Sequence, residues 1–192
     1  MYEMIAQVAQ KLLKNHSGDH ELLSGIAQLI SDADYQAYFL GEIAQHFIKR
    51  GNINEASQYA AGVRGLERSR VLSMLAASAV EAGHKEYGRI LLDEAMQATD
   101  VNRFPLEKAT AILEVAKVLQ RCDFKDEAVR TFMTAIDIAA PSQSELDGTG
   151  REASGVIYYA IQGLHQLGCN DMARQKAQLV LDPGLRKDAL KL

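Results

Sequence analysis

The stretch ATAILEVAKVLQRCDFKDEAVRTFMTAI, residues 109–136, decides the fold. Ile112, Val115, Ala116 and Leu119 recur at helical spacing, which places them on one face of a helix. A turn at Cys122-Asp123 follows, and Ala128, Phe132 and Ala135 then mark one face of a second helix. Two short amphipathic helices around a tight turn form an antiparallel hairpin.

The same layout lies on either side of this stretch. Leu40, Ile43, Ala44 and Phe47 precede a stop at Gly51-Asn52, after which come Ala56, Ala60 and Val63. Leu72, Leu75, Ala76 and Ala79 precede Gly83, followed by Gly88, Leu92 and Ala95. Ile157, Ala160, Ile161 and Leu164 precede Gly168, followed by Ala173, Ala177 and Val180. Glycine at these stops suits the left-handed conformation that ends a helix. The small residues Ala56, Gly88, Ala128 and Ala173 share one place early in each second helix, where a larger side chain would push the hairpin apart. A non-repetitive helical bundle is the alternative.

These residues resemble the tetratricopeptide repeat (TPR) family over about Tyr35 to Asp182. The best match is Ile112, Val115, Ala116, Leu119, Ala128, Phe132 and Ala135, and the unit with Leu40, Ile43, Ala44, Phe47 and Ala56 also fits. The chain departs from the family in several ways. Aliphatics stand at its early tryptophan-like position, Ile161 replaces a small residue, and the unit-ending proline is mostly missing. Ala56, Gly88, Ala128 and Ala173 lie 32, 40 and 45 positions apart, against about 34 in the family. The pattern is therefore a divergent, TPR-like one. The resemblance implies an all-α fold, a right-handed α-solenoid of about four to five antiparallel helix pairs. Residues 1–192 are read as a single TPR-like domain: a degenerate N-terminal pair over 1–34, repeat units over 35–182 and a C-terminal cap over 183–192. The N-terminal pair is placed at Tyr2 to Lys14 and His20 to Ile30. The added length sits in two connections, Thr99 to Pro105 and Ala140 to Arg151, where insertions in a repeat array belong.

Composition agrees with this class. The chain is 47% apolar, but only 6% aromatic and without tryptophan, so its core must close through small side chains. A net charge of −4 argues against general nucleic-acid binding, which needs a basic excess. Cys122 and Cys169 lack metal-type spacing, which suggests reduced thiols and a cytoplasmic setting. The N-terminus reads as an amphipathic helix rather than a signal peptide, and no apolar run is long enough to span a bilayer.

No catalytic motif is present: there is no P-loop, GxGxxG, GxSxG or HExxH. His16 and His20 have the spacing of a helical metal pair, but Ser17 and Gly18 interrupt the helix that would align them. No metal, cofactor or catalytic residue is expected. In TPR-like solenoids the concave surface is formed by first helices. That register selects Tyr38, Gln45, Arg70, Ser73, Lys117, Gln120, Tyr158, Gln162 and His165 as partner-binding residues. The set lacks the lysine and asparagine pattern with which some TPR proteins clamp a C-terminal carboxylate. The expected function is a non-enzymatic adaptor, scaffold or accessory chaperone that binds a peptide or helix of a protein partner on that face. The alternative is a helical regulatory protein with a nucleic-acid-associated basic patch of Lys49, Arg50, Arg64, Arg68 and Arg70, or a helical-repeat enzyme. Oligomeric state and partner identity are not encoded in any motif.

Overall fold

The computed structural model describes residues 2–16, 19–64, 67–102, 104–144 and 148–192. Among these residues the chain is helical, with no strand. The helices fall into two compact units, Met1–Ala98 and Thr99–Leu192.

The first unit holds α1 (Tyr2–His16), α2 (His20–Leu29), α3 (Ala33–Lys49), α4 (Ile53–Gly62), α5 (Arg68–Glu81) and α6 (Lys85–Ala98). The second opens on a 3-10 turn at Thr99–Val101. It continues with α7 (Pro105–Arg121), α8 (Lys125–Ala139), a 3-10 turn at Ala140–Ser144, α9 (Gly148–Gln166), α10 (Asn170–Ala177) and α11 (Pro183–Ala189). Pro105 stands in the first turn of α7, where its missing N–H costs nothing.

One hydrogen-bonded turn closes four of the helix pairs. Asn52, His84, Phe124 and Cys169 each donate a backbone N–H to the carbonyl five residues earlier, on Phe47, Ala79, Leu119 and Leu164. The residue before each donor has positive φ: Gly51 at 77°, Gly83 at 89°, Asp123 at 62° and Gly168 at 84°. This is the Schellman arrangement, which satisfies carbonyls left open at a helix end. The carbonyls of Asn52, His84, Phe124 and Cys169 then accept the N–H of Ala56, Gly88, Ala128 and Ala173, which starts the next helix. The small residues thus stand at a fixed distance from the turn, and all four are buried. A Cβ at Gly88 would fall 2.6 Å from Val80 Cγ2 and 3.0 Å from the Ala76 carbonyl oxygen, both on the paired helix α5.

Within the first unit α3 packs on α4 and α5 on α6, while α1, α3 and α5 pack side by side. Ile43, Ile48, Leu72, Leu75, Leu91 and Leu92 are among its fully buried side chains. In the second unit α7 packs on α8, and α9 meets α7, α8, α10 and α11. Ile112, Phe132, Ile136 and Ile157 fill its centre.

The N-terminal helices match the expected pair in position, but α1 packs chiefly against α3 and touches α2 little. The second expected connection is shorter than the sequence suggested, because α9 begins at Gly148, inside the Ala140–Arg151 stretch; residues 145–147 lie outside the described residues. Ala98, the last residue of α6, is 7% exposed. No helix among the described residues is long and apolar enough to cross a membrane.

Candidate functional site

The residues selected from first helices come together in two places, one in each unit. In the second unit, α7 and α9 lie side by side and their polar side chains meet. Gln120 donates from Nε2 to Gln166 Oε1 at 2.9 Å, and Gln162 donates to the Tyr158 hydroxyl at 2.8 Å. Lys117 Nζ donates to Glu114 at 2.7 Å and lies 5.3 Å over the ring of Tyr159. Tyr159 packs edge-on against Tyr158, with ring centroids 5.5 Å apart. Ile157, Ala160, Ile161 and Leu164 are fully buried, so the tyrosines and glutamines occupy another side of α9.

In the first unit, α3 and α5 supply the surface. The Tyr38 hydroxyl donates to Glu67 Oε2 at 3.0 Å, and the Arg70 guanidinium lies 5.7 Å over the Tyr38 ring. Gln45 donates to the Ser78 hydroxyl at 2.7 Å. The two helices approach closely because Gly41 leaves room: a Cβ there would fall 2.7 Å from Val71 Cγ1.

Two selected residues stand apart. Ser73 is 3% exposed and its hydroxyl donates to the Ser69 carbonyl, so it presents nothing to a partner. The physical reason is that a serine bonded to the carbonyl one turn back hides its polarity and packs as a small residue. His165 is half-buried, and its Nδ1 is buried with no hydrogen-bond partner. Conversely, Tyr159, 52% exposed on the same surface, is not among the selected residues. Its signal was the pair Tyr158-Tyr159, in which either ring can face out.

The histidine and basic clusters take other roles. His20 stacks on Phe47 and Tyr59, with centroids 5.4 and 5.9 Å apart, and its Nδ1 is 3.0 Å from the Tyr59 hydroxyl. It thereby ties the start of α2 to α3 and α4. Burial pushes the Tyr59 phenol above its ordinary value. The side chain of His16 lies outside the described residues. Among the described residues no three His, Cys, Asp or Glu side chains gather as a metal would require. Arg64 donates to the Ala61 and Val63 carbonyls, and Arg68 to the Val63 carbonyl and to Glu94. Both arginines therefore bind the open end of α4, and Glu94 offsets the charge of Arg68, while Arg64, Lys49 and Arg50 are exposed.

Burial is the main cause that holds the His46 imidazole below its ordinary value, with Arg50 and Lys49 adding to it. Its Nε2 is buried with no hydrogen-bond partner.

No family model matches this chain, and no curated protein does. A solved structure described as "DHF58 filament" has a TM-score of 0.38 and 14% identity to it, over 99% of this chain and 91% of that one. A likeness this distant defines neither fold family nor function.

Proposed function

We propose that the chain is a non-enzymatic protein-interaction module, an adaptor, scaffold or accessory chaperone. In this reading its helix pairs are divergent TPR-like repeats of an α-solenoid, and a peptide or helix of a partner docks on the face made by the first helices. The observation that carries the proposal is the α7 and α9 surface. There Lys117, Gln120, Tyr158, Tyr159, Gln162 and Gln166 form one row of amides and rings across two helices. Amides supply both donors and acceptors, and tyrosine joins a large apolar ring to a hydroxyl, the mixture enriched where proteins meet. The bonds of Arg64 and Arg68 to carbonyls at the end of α4, and the ion pair of Arg68 with Glu94, weaken the nucleic-acid alternative. Cys122 and Cys169 form no disulfide, which supports a reducing compartment, and we place the protein in the cytoplasm.

Site-specific photo-crosslinking in the native cell tests this reading. A photoreactive amino acid at Tyr159 should capture a discrete protein partner, whereas the same group at exposed Thr134 on α8 should not. Equal capture at both positions, or none at Tyr159, would defeat it.

A further inference from the structure

Each unit carries a surface arrangement with the same three members. In the first, Arg70 lies over the ring of Tyr38 and 3.7 Å from Glu67, which also accepts the Tyr38 hydroxyl bond. In the second, Lys117 lies over the ring of Tyr159 and 2.7 Å from Glu114. Acid and base are three residues apart in both, beside or on one helix, and the tyrosine comes from the neighbouring first helix. The cation is thus shared by a carboxylate and an aromatic face. The chain order is reversed between the two, with the tyrosine first in one unit and last in the other. What recurs is therefore surface chemistry rather than a copied sequence motif.

We propose that each arrangement is a recognition site for an arginine or lysine side chain of a protein partner, and that Arg70 and Lys117 occupy these sites in the free chain. This rests on the interaction reading given above and names the chemistry of the partner. A carboxylate next to an aromatic face attracts a cation through charge and quadrupole together. The resident cations are held at exposed positions, Lys117 by a 2.7 Å bond to Glu114 with its side chain 40% exposed. The Arg70 side chain is 68% exposed, and its 3.7 Å separation from Glu67 is beyond hydrogen-bond distance. Lys117 is a point charge on a flexible stem. Exposed pairs of this kind contribute little in water, so an incoming guanidinium that bonds the carboxylate through two N–H groups displaces them readily. The net charge of −4 draws a basic segment toward the chain.

The test uses a fluorescein-labelled peptide of alternating glycine and arginine, with binding to the full chain followed by anisotropy at low salt. Lys117→Ala should bind the peptide roughly three- to fivefold more tightly than Lys125→Ala. Lys125→Ala makes the same change in charge and also removes a lysine near an acid, Asp123. Adding Glu114→Gln or Tyr159→Leu to Lys117→Ala should abolish the gain. Equal binding by the Lys117 and Lys125 variants, or a gain that survives both second substitutions, would overturn the proposal. If the peptide ignores this site while a natural partner still crosslinks through Tyr159, this inference falls and the interaction reading stands. If Tyr159 captures no partner either, both fall.

Discussion

Gly163 on α9 presents bare backbone to the ring of Phe132 on α8: a Cβ at position 163 would fall 2.2 Å from Cζ and 2.5 Å from Cε2. Phe132 is fully buried, so its ring has nowhere to retreat. Gly163→Ala should therefore destabilise the chain by about 1–3 kcal/mol or more, although alanine is the better helix former. Phe132→Leu removes the three ring atoms that clash. In urea unfolding, the double variant should be more stable than the sum of the two single effects predicts. Strict additivity would contradict this contact.

The turn register makes a parallel prediction at Ala128. It is fully buried, and leucine there should cost about 1–3 kcal/mol. Exposed Ala61 is the control, and Ala61→Leu should change stability by no more than about 0.5 kcal/mol. Thermal melts of the two variants decide the point.

Asp32 caps α3, its Oδ1 accepting the N–H groups of Asp34 and Tyr35 at 3.0 Å each. Asp32→Ala should lower stability by about 0.5–2 kcal/mol, and Asp32→Ser should recover most of that loss. Equilibrium unfolding of both variants checks it.

His46 gives a pH dependence with a defined sign. Folding favours its neutral ring, because burial and the nearby Arg50 and Lys49 oppose protonation. Well above the ordinary value of 6.5 the ring is neutral in folded and unfolded chains alike and adds nothing to the pH dependence. As pH falls through that value the unfolded chain takes up the proton first, so stability drops, and the drop levels off below the folded-state value. The wild type should lose more stability than His46→Gln between about pH 7 and 5. The imidazole should titrate below 6.5 by NMR; a midpoint at or above it would contradict the assignment.

Three helix ends were readable because Gly51, Gly83 and Gly168 mark positive-φ turns. The fourth such turn is made by Asp123, whose Cβ disfavours that conformation, and there the Cys122-Asp123 break in apolar spacing was the signal. The surface was harder to read. Hydropathy treats Ser73 as polar, but its bond to the Ser69 carbonyl lets it pack as a small core residue. Neighbours on a helix differ by about 100°, so spacing alone assigned Tyr158 outward without settling Tyr159, whose ring is the more exposed. Pairings between helices, such as Gln120 with Gln166, depend on tertiary placement that no single-helix pattern encodes.

Whether the α7 and α9 face meets a protein partner is decided by a dissociation constant. The partner captured through Tyr159 would be purified and titrated against the wild type, against Tyr159→Ala/Gln162→Ala, and against Arg130→Ala/Thr134→Ala on α8, with melting temperatures measured alongside. Exposed or half-exposed positions were chosen, and half-buried His165 is left intact. The Tyr159/Gln162 variant should bind at least about tenfold more weakly, as expected for loss of an aromatic anchor, with the α8 variant unchanged. Unchanged affinity in a Tyr159/Gln162 variant that still folds, or an equal loss in the α8 variant, would contradict it.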